Sequence, residues 1–191
     1  MRWLIGLVAL MALIPSLARA QDHGAHKLPA PPATGLHGAA PEDTASLDGV
    51  VAAYYAALSG PAGRTRDRAR YLALFAAEAR VIPAEGKGHG GTMPRAFSPQ
   101  TYLANVEPSM IEVGWVATEV ARRTERFGKI AQVFSTYEVR RAAGAAGPSI
   151  RGVNSFQLFF DGRRWWIASL VAQPETATLT LPDRYLRSAP D

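Results

Sequence analysis

The apolar positions change period twice along the chain. Trp3 to Ile14 is a continuous apolar run behind Met1-Arg2, broken by Pro15-Ser16. Gln21 to Pro41 then has almost no large apolar residue. From Leu47 the spacing becomes helical: Leu47, Val50, Val51, Tyr54 and Leu58 share one face. Pro41-Glu42-Asp43-Thr44 has the composition of a helix start, with acids where the N-terminal dipole favours them, and Ser59-Gly60-Pro61 stops the helix. Tyr71, Leu72, Leu74 and Phe75 predict a second amphipathic helix ending near Ala77-Glu78, and Arg80 to Pro83 a short strand. Ser98 as cap and Pro99 at the first helical position open a third short helix carrying Tyr102, Leu103 and Val106.

Beyond this the pattern belongs to strands. Val113 to Arg123, with Trp115 near its start, is one, followed by a turn at Phe127-Gly128-Lys129. Ile130 to Arg140 is rich in β-branched and aromatic residues, as a strand requires. Ala142 to Ser149 is a small-residue loop, Ile150 to Phe160 a strand, Asp161-Gly162 a hairpin turn, and Arg164 to Ala172 the last strand. Helices first and an antiparallel meander after predict an α+β domain, with helices gathered on one face of a curved sheet.

Composition narrows the possibilities. The chain has 191 residues, 48% hydrophobic and 19% charged, in the range of a folded domain. It has no Cys, which excludes disulfides, thiolate metal sites and a Cys nucleophile. The first twenty residues read as a secretory signal, with Ala18-Arg19-Ala20 at the cleavage point, so the protein is expected to be periplasmic or secreted with no membrane span left after cleavage. Losing Arg2 and Arg19 lowers the formal net charge from +5 to +3. The arginines lie in small scattered groups rather than a long basic stripe, which argues against nucleic acid. Residues 21–41 read as a flexible linker rich in Pro and Gly; His23, His26 and His37 within it match no defined metal spacing. The folded domain is expected at 42–174, with a C-terminal tail at 175–191. Gly86 to Gly91 lacks the Lys-Ser or Lys-Thr ending and the following helix of a phosphate loop.

The local sequences then resemble a known family. Val51-Ala52-Ala53-Tyr54-Tyr55-Ala56-Ala57-Leu58, Arg123-Thr124-Glu125-Arg126-Phe127-Gly128 and Val133-Phe134-Ser135-Thr136-Tyr137-Glu138 resemble the nuclear transport factor 2-like superfamily in its SnoaL-like branch. So do Asn154-Ser155-Phe156-Gln157-Leu158 and the turn Asp161-Gly162 before Trp165-Trp166-Ile167. The resemblance covers about residues 45–173. It implies a cone-shaped scaffold, a bent sheet wrapped around a helix with a pocket open at one end. Isomerases, dehydratases, cyclases, hydrolases and non-catalytic binding domains share that scaffold.

Two faces of each strand compete for the pocket. In Ile130–Arg140 one face is Ala131, Val133, Ser135, Tyr137 and Val139, the other Gln132, Phe134, Thr136 and Glu138. In the next strand Val153, Ser155, Gln157 and Phe159 share a face, and in the last Trp165, Ile167, Ser169 and Val171 do. The resemblance implies that Trp165 and Ile167 point into the cone. It also implies a sheet-to-sheet homodimer, to which Phe134, Phe156 or Trp166 would contribute. The pocket candidates are Tyr54, Tyr55, Ser135, Tyr137, Ser155, Gln157 and Trp165, whose hydroxyls and amide could orient a polar group in an aromatic cavity. Catalytic residues are not identifiable. His89 sits in the Gly-rich loop, Glu119 and Glu138 lie on strands beside arginines, Asp48 lies on an exposed helix face, and no two of them are spaced as a dyad. No cofactor motif is present. The residues leave two readings open: an exported domain that binds a small apolar or amphipathic molecule, and an isomerase, dehydratase or hydrolase with a pocket acid or base.

Overall fold

A computed structural model describes residues 38–84, 95–141 and 149–188. The expected signal segment, most of the linker with its histidines, and His89 lie outside the described residues. The described residues all belong to one compact unit.

The first helical stretch is split. Helix α1 (Glu42–Ala45) is a single turn, and α2 (Leu47–Leu58) starts afresh at Ser46, whose backbone is extended and whose hydroxyl accepts the Gly49 N–H at 3.0 Å. Asp43 is buried in α1 because Arg70 clasps its carboxylate at 2.7 and 2.8 Å.

Helix α3 (Arg68–Ala73) is shorter than its periodicity predicts. Its apolar run continues as strand β1 (Phe75–Pro83), not as helix. The reason is pairing at long range: the Leu74 carbonyl accepts the Ile167 N–H at 2.9 Å, and Phe75 pairs with Ile167. Ladder bonds of this kind outweigh a weak local preference.

Helix α4 (Pro99–Val113) begins as its cap and proline predict, with the Ser98 hydroxyl accepting the Thr101 N–H. It runs well beyond Val106, through Pro108, so the following strand, β2 (Val116–Phe127), starts later than expected. Trp115 sits between them, bonded in both directions to Gly60.

Strands β3 (Ile130–Arg140) and β4 (Ile150–Phe160) have the expected bounds, and β5 (Trp165–Pro174) runs two residues further than expected. The sheet order is β1-β5-β4-β3-β2, unclosed, with β1 parallel to β5 and the rest antiparallel. Its inner face packs on α2 around Tyr54, Tyr71, Phe75 and Phe156, whose ring centroids lie 4.9 to 6.3 Å apart.

Register decides which residues face inward, because cross-strand partners share a face. On β3 the inner set is Ala131, Val133, Ser135, Tyr137 and Val139, with Tyr137 half-buried and the others buried. Their partners on β4 are Leu158, Phe156, Asn154, Gly152 and, for Val139, Ile150. Phe156 is therefore a core residue, not part of an outer dimer patch, while Ser155 and Gln157 lie on the outer face. On β5 an extra residue, Ala168, falls between the pairs Ile167–Leu158 and Ser169–Gln157. The alternation slips there, so Trp165, Ile167 and Leu170 are buried, Ser169 faces out, and Val171 is exposed.

The segment after β5 is ordered against the outer face. The Thr136 hydroxyl donates to the Tyr185 carbonyl at 2.6 Å and the Tyr185 ring lies 5.2 Å from that of Phe134. The Arg122 N–H donates to Ser188. Phe134 is thus covered by the protein's own chain. Trp166 is stacked under the Arg164 guanidinium at 3.9 Å.

Candidate functional site

A cavity of about 440 Å³ opens between α2, α4 and the inner face of the sheet. Tyr54, Tyr55 and Leu58 reach it from α2, Tyr102, Val106 and Met110 from α4, and Trp115 from the link to β2. Ala117, Tyr137, Val139 and Asn154 line the sheet side, with Pro83, Ile150, Ala172 and Pro174 around the rim. Apolar and aromatic groups dominate. No carboxylate, histidine, lysine or arginine is among the described lining residues.

The polar atoms of the site form a directed chain. Ser135 donates to Glu119 Oε1 at 2.5 Å, the Tyr55 hydroxyl is 2.8 Å from Ser135 Oγ, and Asn154 Nδ2 donates to Tyr55 Oη at 3.1 Å. Because the Ser135 proton goes to the carboxylate, the Tyr55 proton goes to Ser135. Glu119 is neutralised by Arg122, which binds it through Nε at 2.9 Å and through a terminal nitrogen at 2.5 Å and also pairs with Asp48 of α2.

A bulge makes this pair possible. Residues three apart on a regular strand face opposite ways, but an extra residue at Val120 puts Glu119 beside Tyr137 and Arg122 beside Ser135, both on the inner face. The sequence shows only an acid near arginines, and Glu119 reads there as an outward salt-bridge partner. It is a salt-bridge partner, but one turned towards the inner chain. Glu138, by contrast, pairs with Arg140 away from the cavity.

Burial pushes the Tyr54, Tyr71 and Tyr102 hydroxyls above the ordinary tyrosine range. It does the same to Tyr55, against the opposing pull of its bonds to Ser135 and Asn154. These phenols are neutral donors or acceptors at physiological pH. Tyr137 lies across Gly152, where a Cβ would stand 2.5 Å from the Tyr137 oxygen and 2.5 Å from the Gln173 carbonyl, so only glycine leaves that ring its place.

The structure brings Tyr54, Tyr55 and Tyr137 to the cavity and puts Ser135 directly behind Tyr55. Ser155 and Gln157 are on the other side of the sheet, and Gln157 borders a separate outer groove with Phe127 and Ile130. Trp165 is buried at a different cleft of about 600 Å³, beside Phe160 and under Arg126, 5.0 Å from its ring. Asn154, Tyr102 and Trp115 are cavity residues that the sequence reading passed over. Asn154 is the most telling of them, since an Asn between Val153 and Ser155 in a strand of doubtful facing carries no local signal. Among the described residues no group of three His, Asp or Glu is placed to hold a metal ion.

No family model matches the chain, and no curated protein does. Solved structures do. A protein of unknown function from Mycobacterium tuberculosis aligns over 69% of this chain and 76% of its own, with a TM-score of 0.54 and 14% identity. A proposed calcium/calmodulin-dependent kinase II association domain from Exiguobacterium sibiricum aligns over 69% of this chain and 92% of its own, at 0.51 and 19%. An NTF2-like protein of unknown function from Shewanella baltica covers 67% and 90%, at 0.47 and 13%. The open curved sheet, the helices on its inner face and the two likenesses with a TM-score above 0.5 show an α+β cone, the fold that the nuclear transport factor 2-like resemblance implies.

Proposed function

We propose that this is an exported nuclear transport factor 2-like domain that holds a small apolar or amphipathic molecule in the cavity beside Tyr55. One observation carries the reading: a 440 Å³ hollow walled by aromatic and aliphatic groups, with tyrosine hydroxyls and one amide as its polar points. Such a lining favours burial of an apolar body and a few oriented hydrogen bonds. The alternative, an isomerase, dehydratase or hydrolase, needs an acid or base at the open volume. Glu119, the carboxylate at the end of the bonded chain, stands behind Ser135 and Tyr55 and has its oxygens occupied by Arg122 and Ser135.

Two tests apply. Solvent extraction and mass spectrometry of the purified full chain are expected to release a retained small molecule, and calorimetry with naphthalene is expected to show saturable binding. The absence of both a retained molecule and naphthalene binding overturns the proposal. Export predicts a mature N-terminus at Gln21, read by intact mass; an unprocessed chain in an exporting host contradicts it.

A homodimer belongs to the same proposal. The kinase-association neighbour supports association in this fold, and the most exposed large apolar side chains among the described residues are Phe127 at 85% and Ile130 at 61%, at the β2–β3 turn. Light scattering giving a monomer mass at micromolar concentration would remove it.

A further inference from the structure

Asn154 is only 5% exposed, and its single hydrogen bond among the described residues is the one Nδ2 donates to Tyr55. Among the described residues its Oδ1 takes no donor. The sealed side-chain atoms without a partner are Arg66 Nε and Tyr71 Oη, so Asn154 Oδ1 is not sealed; the open space beside Asn154 is the cavity. A buried amide with an unused acceptor at a cavity wall is an incomplete hydrogen-bonding site.

The amide is held this way round from a distance. Glu119 as a carboxylate only accepts, so it takes the one proton of Ser135. Ser135 must then accept from Tyr55, and the Tyr55 oxygen must accept from Asn154. The NH₂ group therefore turns to Tyr55 and the carbonyl oxygen to the cavity. Arg122, itself paired with Asp48, holds the Glu119 carboxylate in place from outside the cavity.

Resting on the binding reading above, we infer that the ligand is an amphipathic molecule whose head is a neutral hydrogen-bond donor, a hydroxyl or N–H, seated on Asn154 Oδ1. Glu119 acts through Ser135 and Tyr55 as a positioning residue. An ammonium head would lose its hydration with no described carboxylate on the wall to replace it. An ether or ketone head would meet an acceptor with an acceptor and leave Asn154 unpaired.

Calorimetry of the full chain with naphthalene, 2-naphthol and 2-methoxynaphthalene tests this. The naphthol is expected to bind about tenfold more tightly than the methyl ether, the ratio that one neutral hydrogen bond supplies. N154L is expected to erase that preference while naphthalene still binds. E119A is expected to shrink or reverse it, because Ser135 can then donate to Tyr55, Tyr55 to Asn154 Oδ1, and the amide presents its N–H instead. Naphthalene binding with equal affinity for naphthol and ether in the unaltered chain overturns this inference and leaves the binding proposal standing. Binding of none of the three overturns both. A preference unchanged in E119A removes Glu119 from the argument. The comparison of ligands on the unaltered chain needs no variant to fold.

Discussion

Two clusters of arginine and glutamate, one buried around Glu107 and one half-buried around Glu119, are built from the same materials and end differently. Around Glu107, the carboxylate accepts the Arg66 backbone N–H at 3.0 Å and the Arg68 guanidinium at 2.6 Å. The Arg66 side chain in turn donates to the carbonyls of Pro61, Arg64 and Met110. That cluster closes on backbone and ties the loop before α3 to α4; its one leftover atom, Arg66 Nε, is sealed away from open volume. Around Glu119, the sequence of bonds passes through Ser135 and Tyr55 and stops at an amide that faces a cavity. Buried charge is thus no sign of a site by itself. What matters is whether the last group has an unused bond and space in front of it.

The largest effect should come from opening the closed cluster. E107A leaves Arg66 buried without its counter-charge and is expected to cost about 3 kcal/mol, the low end for breaking a buried pair because Arg68 is more than half exposed. Urea titration followed by circular dichroism measures it, and a loss under 1 kcal/mol would show the cluster to be incidental. The same cluster sets an acid limit. Bonds from Arg68 and Arg66 hold the Glu107 carboxyl below its ordinary range despite burial, and Arg70 does the same for Asp43. Depressed carboxyl groups stabilise the fold above their unfolded pKa, about 4, and that stability is lost as pH falls through the lower folded value. Thermal melts should therefore hold level from pH 7 to 5 and drop below about pH 4.

Tyr55 and Tyr71 sharpen the contrast at smaller scale. Y55F removes a hydroxyl bonded on both sides and is expected to cost about 2 kcal/mol, leaving Ser135 and Asn154 short of a partner. Y71F removes a buried hydroxyl with no partner and is expected to be neutral or to stabilise by about 1 kcal/mol. Denaturant midpoints of the two variants decide it. Equal losses would mean that the Tyr55 chain contributes nothing beyond ring packing.

Much of the fold was legible from single stretches. The caps at Ser98 and Pro99, the turn glycines at Gly128 and Gly162 with φ of 57° and 107°, and the bounds of β3 and β4 are where local chemistry puts them. Alternation put Ser135 and Tyr137 of β3 on one face together, but not which face turns inward. The facing of β4 did not, because apolar residues occur on both of its sides, and Asn154 and Ser155 exchange places with a shift of one residue. Phe75 was misread for a related reason: a helical spacing of four residues is weaker than a ladder to Ile167, 92 residues on in the chain.

By itself the amino-acid sequence determined the α+β class, the helix starts and turns, and which β3 residues share a face, because capping, backbone freedom and period-two alternation act within a few residues. Only the tertiary structure decided that Glu119 and Arg122 share a face, that Asn154 meets Tyr55, and that Trp165 stands apart from them. Those outcomes depend on bulges at Val120 and Ala168 and on strand register, which arise from hydrogen bonds between segments distant in the chain and leave no pattern in either segment alone.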